Sequence, residues 1–254
     1  MDLFRLDGKV AVVTGSGKGI GKAMALGLAE AGADLVIVAR TEEDIQQTVL
    51  EVEQKGRKAI GISTDVKKKE EIEKMVAKTL DTFGKIDVLV NNAGMNIRTP
   101  ALDVPEEEWE LIIQTNMKSV FLASQAVGKH MVEQKSGSII NISSVAGQVA
   151  LRTGVAYAAT KAGIIQMTKT LALEWGKHDV RVNAIAPWYF RTPLTEKLLN
   201  NEDYYNEIIS RTPLRRVGDV KELVGPAVFL ASEASNYVTG HTIFVDGGMS
   251  IYGF

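Results

Sequence analysis

The chain has 254 residues, no cysteine and a formal net charge of −2 at pH 7. This length suits one large α/β domain or two small ones, and it is enough to bury a sizeable core. A charge so close to zero creates no global field that would draw nucleic acid or an anionic membrane, so neither is expected as a partner. The lack of cysteine excludes disulfides, thiolate metal sites and thiol catalysis.

The histidine positions and the apolar runs of the chain indicate neither a metal site nor a membrane-spanning segment. The three histidines, His130, His178 and His241, have spacings that indicate no metal site. No apolar run is long enough to span a bilayer, and residues 1–5 lack the apolar core of a signal peptide. The sequence therefore predicts a soluble, cytoplasmic protein that binds no metal.

Short β-branched runs alternate with longer amphipathic stretches along the chain. The predicted strands cover residues 10–14, 34–39, 59–63, 88–91, 138–142, 181–185 and 242–245. The predicted helices cover residues 20–31, 42–55, 70–83, 106–133, 154–175 and 220–231. Most of these strands are almost entirely apolar, as expected for strands buried on both faces of a parallel sheet. Repeated strand–helix–strand units predict an α/β fold with a doubly wound parallel sheet, and the absence of a linker favours one domain over residues 1–254.

The segment 187–218 interrupts this alternation because it has no strand signal. It contains Pro193, Pro213 and a polar-aromatic helix candidate at residues 204–209. An excursion of this length is usually a lid or a binding loop, and it follows the end of a strand, where ligands bind in open α/β sheets. We predict a substrate lid here; the alternative is a peripheral helix pair that only packs.

A glycine-rich turn joins the first strand to the first helix. Such a turn brings the backbone close to a pyrophosphate and directs a helix N-terminus at its charge. Its position after an apolar strand and before an amphipathic helix is the context that a dinucleotide site requires, although a simple flexible turn is the alternative. The predicted cofactor contacts in this turn are Gly15, Ser16, Lys18, Gly19, Ile20 and Gly21.

The end of the second strand bears on the choice between NAD and NADP. No acidic residue stands there to accept hydrogen bonds from the adenosine ribose; Arg40 does instead, and Lys18 lies in the glycine turn. Two cations converging on a 2′-phosphate favour NADP(H) over NAD(H). The alternative is that Arg40 stacks on adenine or caps the strand, and Glu42 and Glu43 could moderate the preference.

Several motifs together make the chain resemble the short-chain dehydrogenase/reductase family over essentially its whole length. They are Thr14-Gly15-x-x-x-Gly19-x-Gly21, Asp65-Val66, Asn91-Asn92-Ala93-Gly94, Asn116, Ser144, Tyr157-x-x-x-Lys161 and Val245-Asp246-Gly247-Gly248. The resemblance implies a single Rossmann domain with a seven-stranded parallel sheet and helices on both faces, a homotetramer, and NAD(P)-dependent oxidation of alcohols or reduction of ketones. Residues 96–98, 189–196 and 244–249 look most like bacterial gluconate 5-dehydrogenases and related sugar-acid or polyol enzymes.

The resemblance assigns catalysis to Asn116, Ser144, Tyr157 and Lys161. A tyrosine pKa near 10 is too high for an efficient base, but Lys161, one helical turn from Tyr157, and an oxidised nicotinamide would both favour the phenolate. Ser144 could hydrogen-bond the substrate oxygen, and Asn116 would hold a water in a proton relay. The alternatives are a packing tyrosine, a surface lysine, a turn serine and a helix-capping or kinking asparagine.

Further roles follow from the same resemblance. Besides the glycine turn and Arg40, the cofactor would contact the catalytic pair Tyr157 and Lys161 and also Asp65, Val66, Asn92, Ala93, Gly94, Pro187 and Thr192. Trp188 stands where the family usually has glycine, and its ring either walls the substrate pocket or points away from it. Arg98 or Arg152 could hold a carboxylate with two hydrogen bonds, or either could be a surface residue. Gln148 and Tyr189 could contact hydroxyl groups.

These residues leave three functions open. The first is an NADP-dependent oxidoreductase for a sugar acid or polyol. The second is a 3-oxoacyl-carrier-protein reductase, in which Arg215 and Arg216 would dock an acidic carrier. The third is a nucleotide-binding regulator without catalysis, against which the complete set of four catalytic residues argues.

Overall fold

Seven parallel strands form one sheet in the order β3-β2-β1-β4-β5-β6-β7. In this computed structural model, which describes residues 2–252, the strands are Val10–Thr14, Asp34–Ala39, Ala59–Ser63, Val88–Asn91, Gly137–Ile142, Val180–Pro187 and Thr242–Val245, numbered β1 to β7. All seven predicted strands are confirmed. The strand order reverses between β1 and β4, which is the topological switch point where α/β sheets bind ligands at the carboxyl ends of their strands.

The helices α1 to α9 cover the sheet and the segment after β6. They are Gly19–Glu30, Glu42–Glu53, Lys69–Phe83, Glu106–Ile113, Ser119–Gln134, Val155–Trp175, Glu196–Leu199, Glu202–Ser210 and Val224–Ala231. The helix predicted over 106–133 is present, with a π-helical turn, Gln114–Lys118, between its α-helical parts α4 and α5. The first turn of the helix predicted over 220–231 is a 3₁₀ turn, Val220–Leu223. None of the helices within residues 2–252 is long and apolar enough to cross a membrane.

Alternating side chains of each strand supply two apolar layers. In β1, Ala11 and Val13 face one layer with α1, α2 and α9, whereas Val10 and Val12 face the other with α3, α5 and α6. Since both faces are covered, β1 and β2 are apolar along nearly their whole length, which is why strands of this type are visible in the sequence. Complete burial of one such aliphatic side chain contributes about 1.5–3 kcal/mol.

The segment after β6 is bonded to β7 at its start, and its end returns to residues that follow β6. Trp188 N donates to Val245 O (3.2 Å), and Gly218 N donates to Tyr189 O (2.8 Å). Between these points lie α7 and α8, which pack around a small apolar cluster containing Tyr189, Leu199 and Ile208. The predicted helix at 204–209 lies within α8, and the segment stands over the carboxyl end of the sheet.

Candidate active site

The glycine turn after β1 is joined closely to the loop after β4. Thr14 Oγ1 accepts hydrogen bonds from Asn92 N (3.0 Å) and Ala93 N (3.1 Å), while Asn92 Nδ2 donates to Gly15 O (3.1 Å). Gly15 has a φ of +66°, and a Cβ there would lie 2.9 Å from Ala93 Cα. A side chain at position 15 would therefore be strained and would push the two loops apart.

Two of the residues predicted to contact the cofactor, Ser16 and Gly21, instead maintain the conformation of the glycine turn. The buried Ser16 hydroxyl donates to Val13 O (2.7 Å) and accepts from Val38 N (3.0 Å), so its hydrogen bonds join β1 to β2. A Cβ on Gly21 would lie 2.4 Å from Gly15 O and from Asn92 Nδ2, which makes it a packing glycine. The Ser16 hydroxyl and the missing Cβ of Gly21 both shape the cradle, and neither residue lines the cavities described next.

A cavity of about 400 Å³ lies beside the ends of β2 and β3. Thr64 and Thr115 are among its lining residues, although their hydroxyl oxygens are themselves buried away from the open space. Its volume and its mixed polar and apolar lining fit the adenosine part of a dinucleotide. The predicted residues that line this cavity are Gly15, Lys18, Arg40, Asp65, Val66, Ala93 and Gly94.

The two cations predicted at the ribose behave differently. Arg40 is exposed at the rim, whereas Lys18 Nζ lies 2.9 Å from Asp44 Oδ2. Asp44 also lines the cavity. The charge of Lys18 is thus already partly balanced, which the sequence did not indicate because Asp44 follows the pair Glu42-Glu43 within an ordinary acidic helix start.

A second cavity of about 490 Å³ adjoins the first over the glycine turn, since both are lined by Gly15, Lys18, Ala93 and Gly94. Ser144, Tyr157 and Lys161 line its inner part. The other predicted residues in its lining are Gly19, Ile20, Asn92, Pro187, Trp188 and Thr192. Together the two cavities form a groove that fits a dinucleotide, with the predicted catalytic residues Ser144, Tyr157 and Lys161 at the end remote from Arg40.

The Lys161 ammonium group is buried beside Tyr157. Its Nζ donates to Ile142 O (2.8 Å) and lies 5.5 Å from the centroid of the Tyr157 ring. Burial lowers the pKa of Lys161 to about 8. Burial also raises the pKa of the Tyr157 phenol, although the neighbouring Ser144 hydroxyl and the charge of Arg98 act in the opposite direction. The effects that lower the Tyr157 pKa thus come from Ser144 and Arg98, and the predicted lowering by Lys161 stays a prediction.

Asn116 occupies the π-helical turn and is completely buried. Its Nδ2 donates to Met95 O (2.8 Å), and its Oδ1 accepts from Met95 N (2.8 Å). The side-chain amide of Asn116 thus bonds to Met95 as a neighbouring main-chain peptide group would, and these bonds fix the loop that follows Gly94. The water-holding role implied by the family stays a prediction, since these two bonds engage both ends of the side-chain amide.

A smaller cavity of about 90 Å³ opens beside Ser144 and Tyr157. Trp188 lines this cavity and also the part of the groove that contains Tyr157, while its Nε1 donates to Thr212 Oγ1 (3.1 Å). Its φ is not positive, so the missing glycine imposes no strain. This geometry supports the interpretation of Trp188 as a wall. Tyr189 also lines the cavity and packs against Trp188 with ring centroids 4.6 Å apart.

Of the two candidate arginines, only Arg98 lines this small cavity. Its Nη1 donates to Tyr204 Oη (3.0 Å), Arg152 O (3.1 Å) and Tyr189 Oη (3.2 Å). The Arg152 side chain is 73% exposed and pairs with Glu207 of α8. Gln148 is also exposed and lines none of the three cavities described above. Arg152 and Gln148 therefore do not share a cavity with Ser144 and Tyr157.

Sequence reasoning missed three residues of this region. Asn96 and Thr153 line the small cavity, and Tyr204 of α8 reaches Arg98 from the segment after β6. The only available signal was position, because Asn96 follows Gly94 by two residues and Thr153 lies between Ser144 and Tyr157. Within residues 2–252, no cluster of three or more histidine or acidic side chains could hold a metal ion.

Comparison with known proteins agrees with this geometry. A family model described as enoyl-(acyl carrier protein) reductase matches residues 15–250. Two Escherichia coli (strain K12) proteins, a 5-keto-D-gluconate 5-reductase and a 2-dehydro-3-deoxy-D-gluconate 5-dehydrogenase, are 43% and 44% identical, with 98% of each chain covered. The crystal structure of a gluconate 5-dehydrogenase from Burkholderia cenocepacia J2315 in complex with NADP and tartrate superposes with a TM-score of 0.95 at 40% identity, covering 98% of both chains. The chain belongs to the short-chain dehydrogenase/reductase family of oxidoreductases.

Proposed function

We propose that this enzyme interconverts a secondary hydroxyl group of a sugar acid and the corresponding ketone with NADP(H), in the manner of a gluconate 5-dehydrogenase. One observation carries the proposal: Ser144 and Tyr157 line both the dinucleotide groove and a small cavity that contains Arg98. A substrate in that cavity would meet the reacting groups at one end and a guanidinium group within the same space.

The reacting residues have distinct roles in this proposal. Ser144 donates a hydrogen bond to the substrate oxygen and fixes its position. Tyr157 gives a proton to that oxygen during reduction and removes it during oxidation, and Lys161 beside the ring favours the phenolate. When bound, the nicotinamide cofactor supplies or accepts the hydride at the reacting carbon. Gly15, Gly19 and Ile20 would hold the pyrophosphate at the start of α1.

Arg98 is the proposed carboxylate site. Its Nη1 is engaged by two phenols and a carbonyl, whereas Nε and Nη2 make no hydrogen bond to any residue in 2–252. These two nitrogens form one planar edge that matches a carboxylate. Arg152, the other predicted candidate, is paired with Glu207 outside the cavity, so we assign it to the anchoring of α8.

The carrier-protein alternative has less support. Arg216, one of its two predicted docking cations, is already paired with Glu222 at 2.6 Å. The names of the relatives favour sugar acids, and the Burkholderia structure holds NADP together with tartrate, itself a hydroxy acid. The third alternative, a regulator without catalysis, would not require Ser144, Tyr157 and Lys161 to line one cavity.

Three finer statements belong to the same proposal. Lys18 and Arg40 would bind the 2′-phosphate and make NADP(H) the preferred cofactor. Residues 187–218 would act as the substrate lid of one domain that spans the chain. Family resemblance supports a cytoplasmic homotetramer, whose size light scattering on the purified protein would measure.

The test is a matrix of steady-state assays. NADPH and NADH are each combined with 5-keto-gluconate, a neutral ketose and an acetoacetyl thioester, and kcat/KM is determined for every pair. We expect the highest value for NADPH with 5-keto-gluconate. Tyr157→Phe should lower kcat by about 10²–10⁴-fold, whereas the same change at the fully exposed Tyr237 should have no effect. A preference for the thioester would refute the proposal.

A further inference from the structure

Thr195 stands at the N-terminal cap of α7, yet its side chain does not cap that helix. The oxygen of a capping threonine normally accepts a hydrogen bond from a main-chain N–H of the first turn, and Thr195 makes no such bond. Its hydroxyl instead donates to Phe190 O and accepts from Thr192 N (3.0 Å). The hydroxyl oxygens of Thr192 and Thr195 also lie 3.0 Å apart. The side chain of Thr195 therefore supports Thr192 rather than α7.

The protons of these two hydroxyl groups can be assigned from their neighbours. A carbonyl oxygen only accepts hydrogen bonds, so the single proton of the Thr195 hydroxyl is directed at Phe190 O. The longer contact of Thr195 Oγ1 with Thr192 O (3.3 Å) leads to the same result, because that oxygen is a carbonyl too. Thr195 has no second proton to give, so the Thr192 hydroxyl must donate to Thr195. Thr192 Oγ1 thus keeps its lone pairs and can only accept further hydrogen bonds.

This acceptor belongs to the cavity that would hold the nicotinamide half of the cofactor. Both threonines line the cavity of about 490 Å³, together with Tyr157 and Lys161. The side chain of Thr192 faces the glycine turn, since a Cβ atom on Gly19 would lie 3.8 Å from Thr192 Cβ. Within residues 2–252, Thr192 Oγ1 makes no hydrogen bond except the one to Thr195. Its lone pairs are therefore left for a ligand.

The direction of the Thr192 proton restricts which part of the cofactor this oxygen can bind. The pyrophosphate and the carbonyl end of the nicotinamide carboxamide offer only acceptors, so neither can pair with it. The amino end of the carboxamide carries two donors and can do so. A hydroxyl that rotated without constraint could bind either end of the carboxamide, and it would not distinguish them.

We propose that Thr195 is a positioning residue that holds the Thr192 hydroxyl as a fixed acceptor for the amino end of the nicotinamide carboxamide. This inference rests on the nucleotide-binding part of the proposed function and deepens it. It gives residues 187–218 a part in orienting the nicotinamide, in addition to covering the substrate. Thr195 acts through Thr192 and need not touch the cofactor itself.

The experiment compares two dinucleotides that differ only at the carboxamide. NADP⁺ carries the amino group, whereas its 3-acetylpyridine analogue carries a methyl group in that place and keeps the carbonyl oxygen. Isothermal titration calorimetry without substrate measures both dissociation constants. The wild type should bind NADP⁺ about 3- to 10-fold more tightly, because the methyl group cannot donate a hydrogen bond. In Thr195→Val the Thr192 hydroxyl can turn and donate to the carbonyl oxygen, so the ratio should fall below about twofold.

Three further variants separate positioning from folding. Thr195→Ser keeps the hydroxyl and should keep the wild-type ratio of the two dissociation constants. Ser210→Ala removes a hydroxyl that donates to Glu207 O (2.8 Å) in the same segment, and it should leave both constants unchanged. Thr192→Val removes the acceptor itself. Adding Thr195→Val to Thr192→Val should not change the ratio further, because the two residues act as one unit.

The outcomes distinguish this inference from the proposed function. A purely structural role of Thr195 predicts that Thr195→Val weakens the binding of both dinucleotides by the same factor; an unchanged ratio therefore refutes the inference while the proposed function stands. The wild type provides a test that does not depend on the folding of any variant, since equal affinity for the two dinucleotides also refutes the inference. If the wild type does not bind NADP⁺, the cofactor assignment of the proposed function fails, and the inference fails with it.

Discussion

At the scale of the residue, the buried ammonium group of Lys161 lowers the stability of the folded state, although its position beside Tyr157 serves the proposed chemistry. Burial lowers the pKa of this group to about 8, far below 10.5. The fall corresponds to about 3 kcal/mol that the folded state loses at neutral pH by keeping the charge inside. We interpret this cost as the consequence of holding a cation beside Tyr157, where it can favour the phenolate when substrate and cofactor are bound.

The first prediction concerns the pH dependence of stability. Between pH 8 and pH 10.5 the unfolded chain binds more protons at position 161 than the folded protein, so the free energy of unfolding should rise with pH. Relative to Lys161→Met, the wild type should gain about 2 kcal/mol between pH 7 and pH 10. Urea unfolding at fixed protein concentration measures this difference.

A matched control lies on the same helix. Lys169→Met removes an exposed lysine of α6 and so controls for the loss of one positive charge from this helix. The lost hydrogen bond to Ile142 O also destabilises Lys161→Met, but that loss is the same at every pH. Parallel pH profiles for wild type and Lys161→Met would contradict the lowered pKa.

At the scale of the element, the π-helical turn Gln114–Lys118 shows how one side chain positions a loop. Asn116 donates to and accepts from the main chain of Met95, and this pair fixes the loop between the groove and the small cavity. An aspartate of the same shape can only accept when ionised, so it would face Met95 O without a proton to share.

The second prediction follows from this pairing. Asn116→Asp should lower the free energy of unfolding by about 2–4 kcal/mol, because it leaves a buried carbonyl unpaired and buries a charge. The dissociation constant for NADPH should also rise, since Gly94 and Met95 line the groove. Chemical unfolding and fluorescence titration measure the two effects. Asn236→Asp, at an exposed position, is the control, and an equal effect there would refute a specific role.

The third prediction concerns α8. Tyr204 reaches the half-buried Arg98, whereas Glu207 reaches the exposed Arg152. Tyr204→Phe should therefore accelerate hydrogen exchange across residues 196–210 and lower kcat/KM, because Arg98 loses one of its fixed acceptors. Glu207→Gln should change hydrogen exchange there much less, because exposed surface ion pairs contribute little to stability. If Glu207→Gln loosened the segment more than Tyr204→Phe, the exposed pair would be its main anchor.

The sequence predicted the strands of this fold better than its loops, for a physical reason. Strands buried on both faces must be apolar, and that pattern is visible without knowing the neighbours. The spacing of Tyr157 and Lys161 was visible for a similar reason, because one helical turn fixes it. The pairing of Asn116 with Met95, by contrast, joins residues 21 apart through a loop whose path only the folded chain defines. Thr153 escaped prediction likewise, since burial of a loop hydroxyl depends on contacts between distant segments.

At the scale of the whole molecule, cofactor binding is coupled to folding: a cofactor that binds only the folded protein raises its free energy of unfolding. The groove crosses the carboxyl ends of the central strands, so a ligand that fills it holds several elements together at once. A ligand at about 100 times its dissociation constant stabilises the folded state by about 2.7 kcal/mol. For a chain of this length, that amounts to a rise in Tm of about 5–10 °C.

The fourth prediction uses this coupling to measure cofactor preference without a substrate. If Lys18 and Arg40 bind a 2′-phosphate, NADPH should raise Tm by about 3–5 °C more than NADH at equal concentration for each tenfold difference in affinity. The double variant Lys18→Ala/Arg40→Ala should lose this difference and keep the response to NADH. Asp44→Asn should enlarge it, because Asp44 now competes for the Lys18 ammonium group. Equal shifts for both cofactors in the wild type would show that the two cations do not select NADP(H), whatever substrate the enzyme reduces.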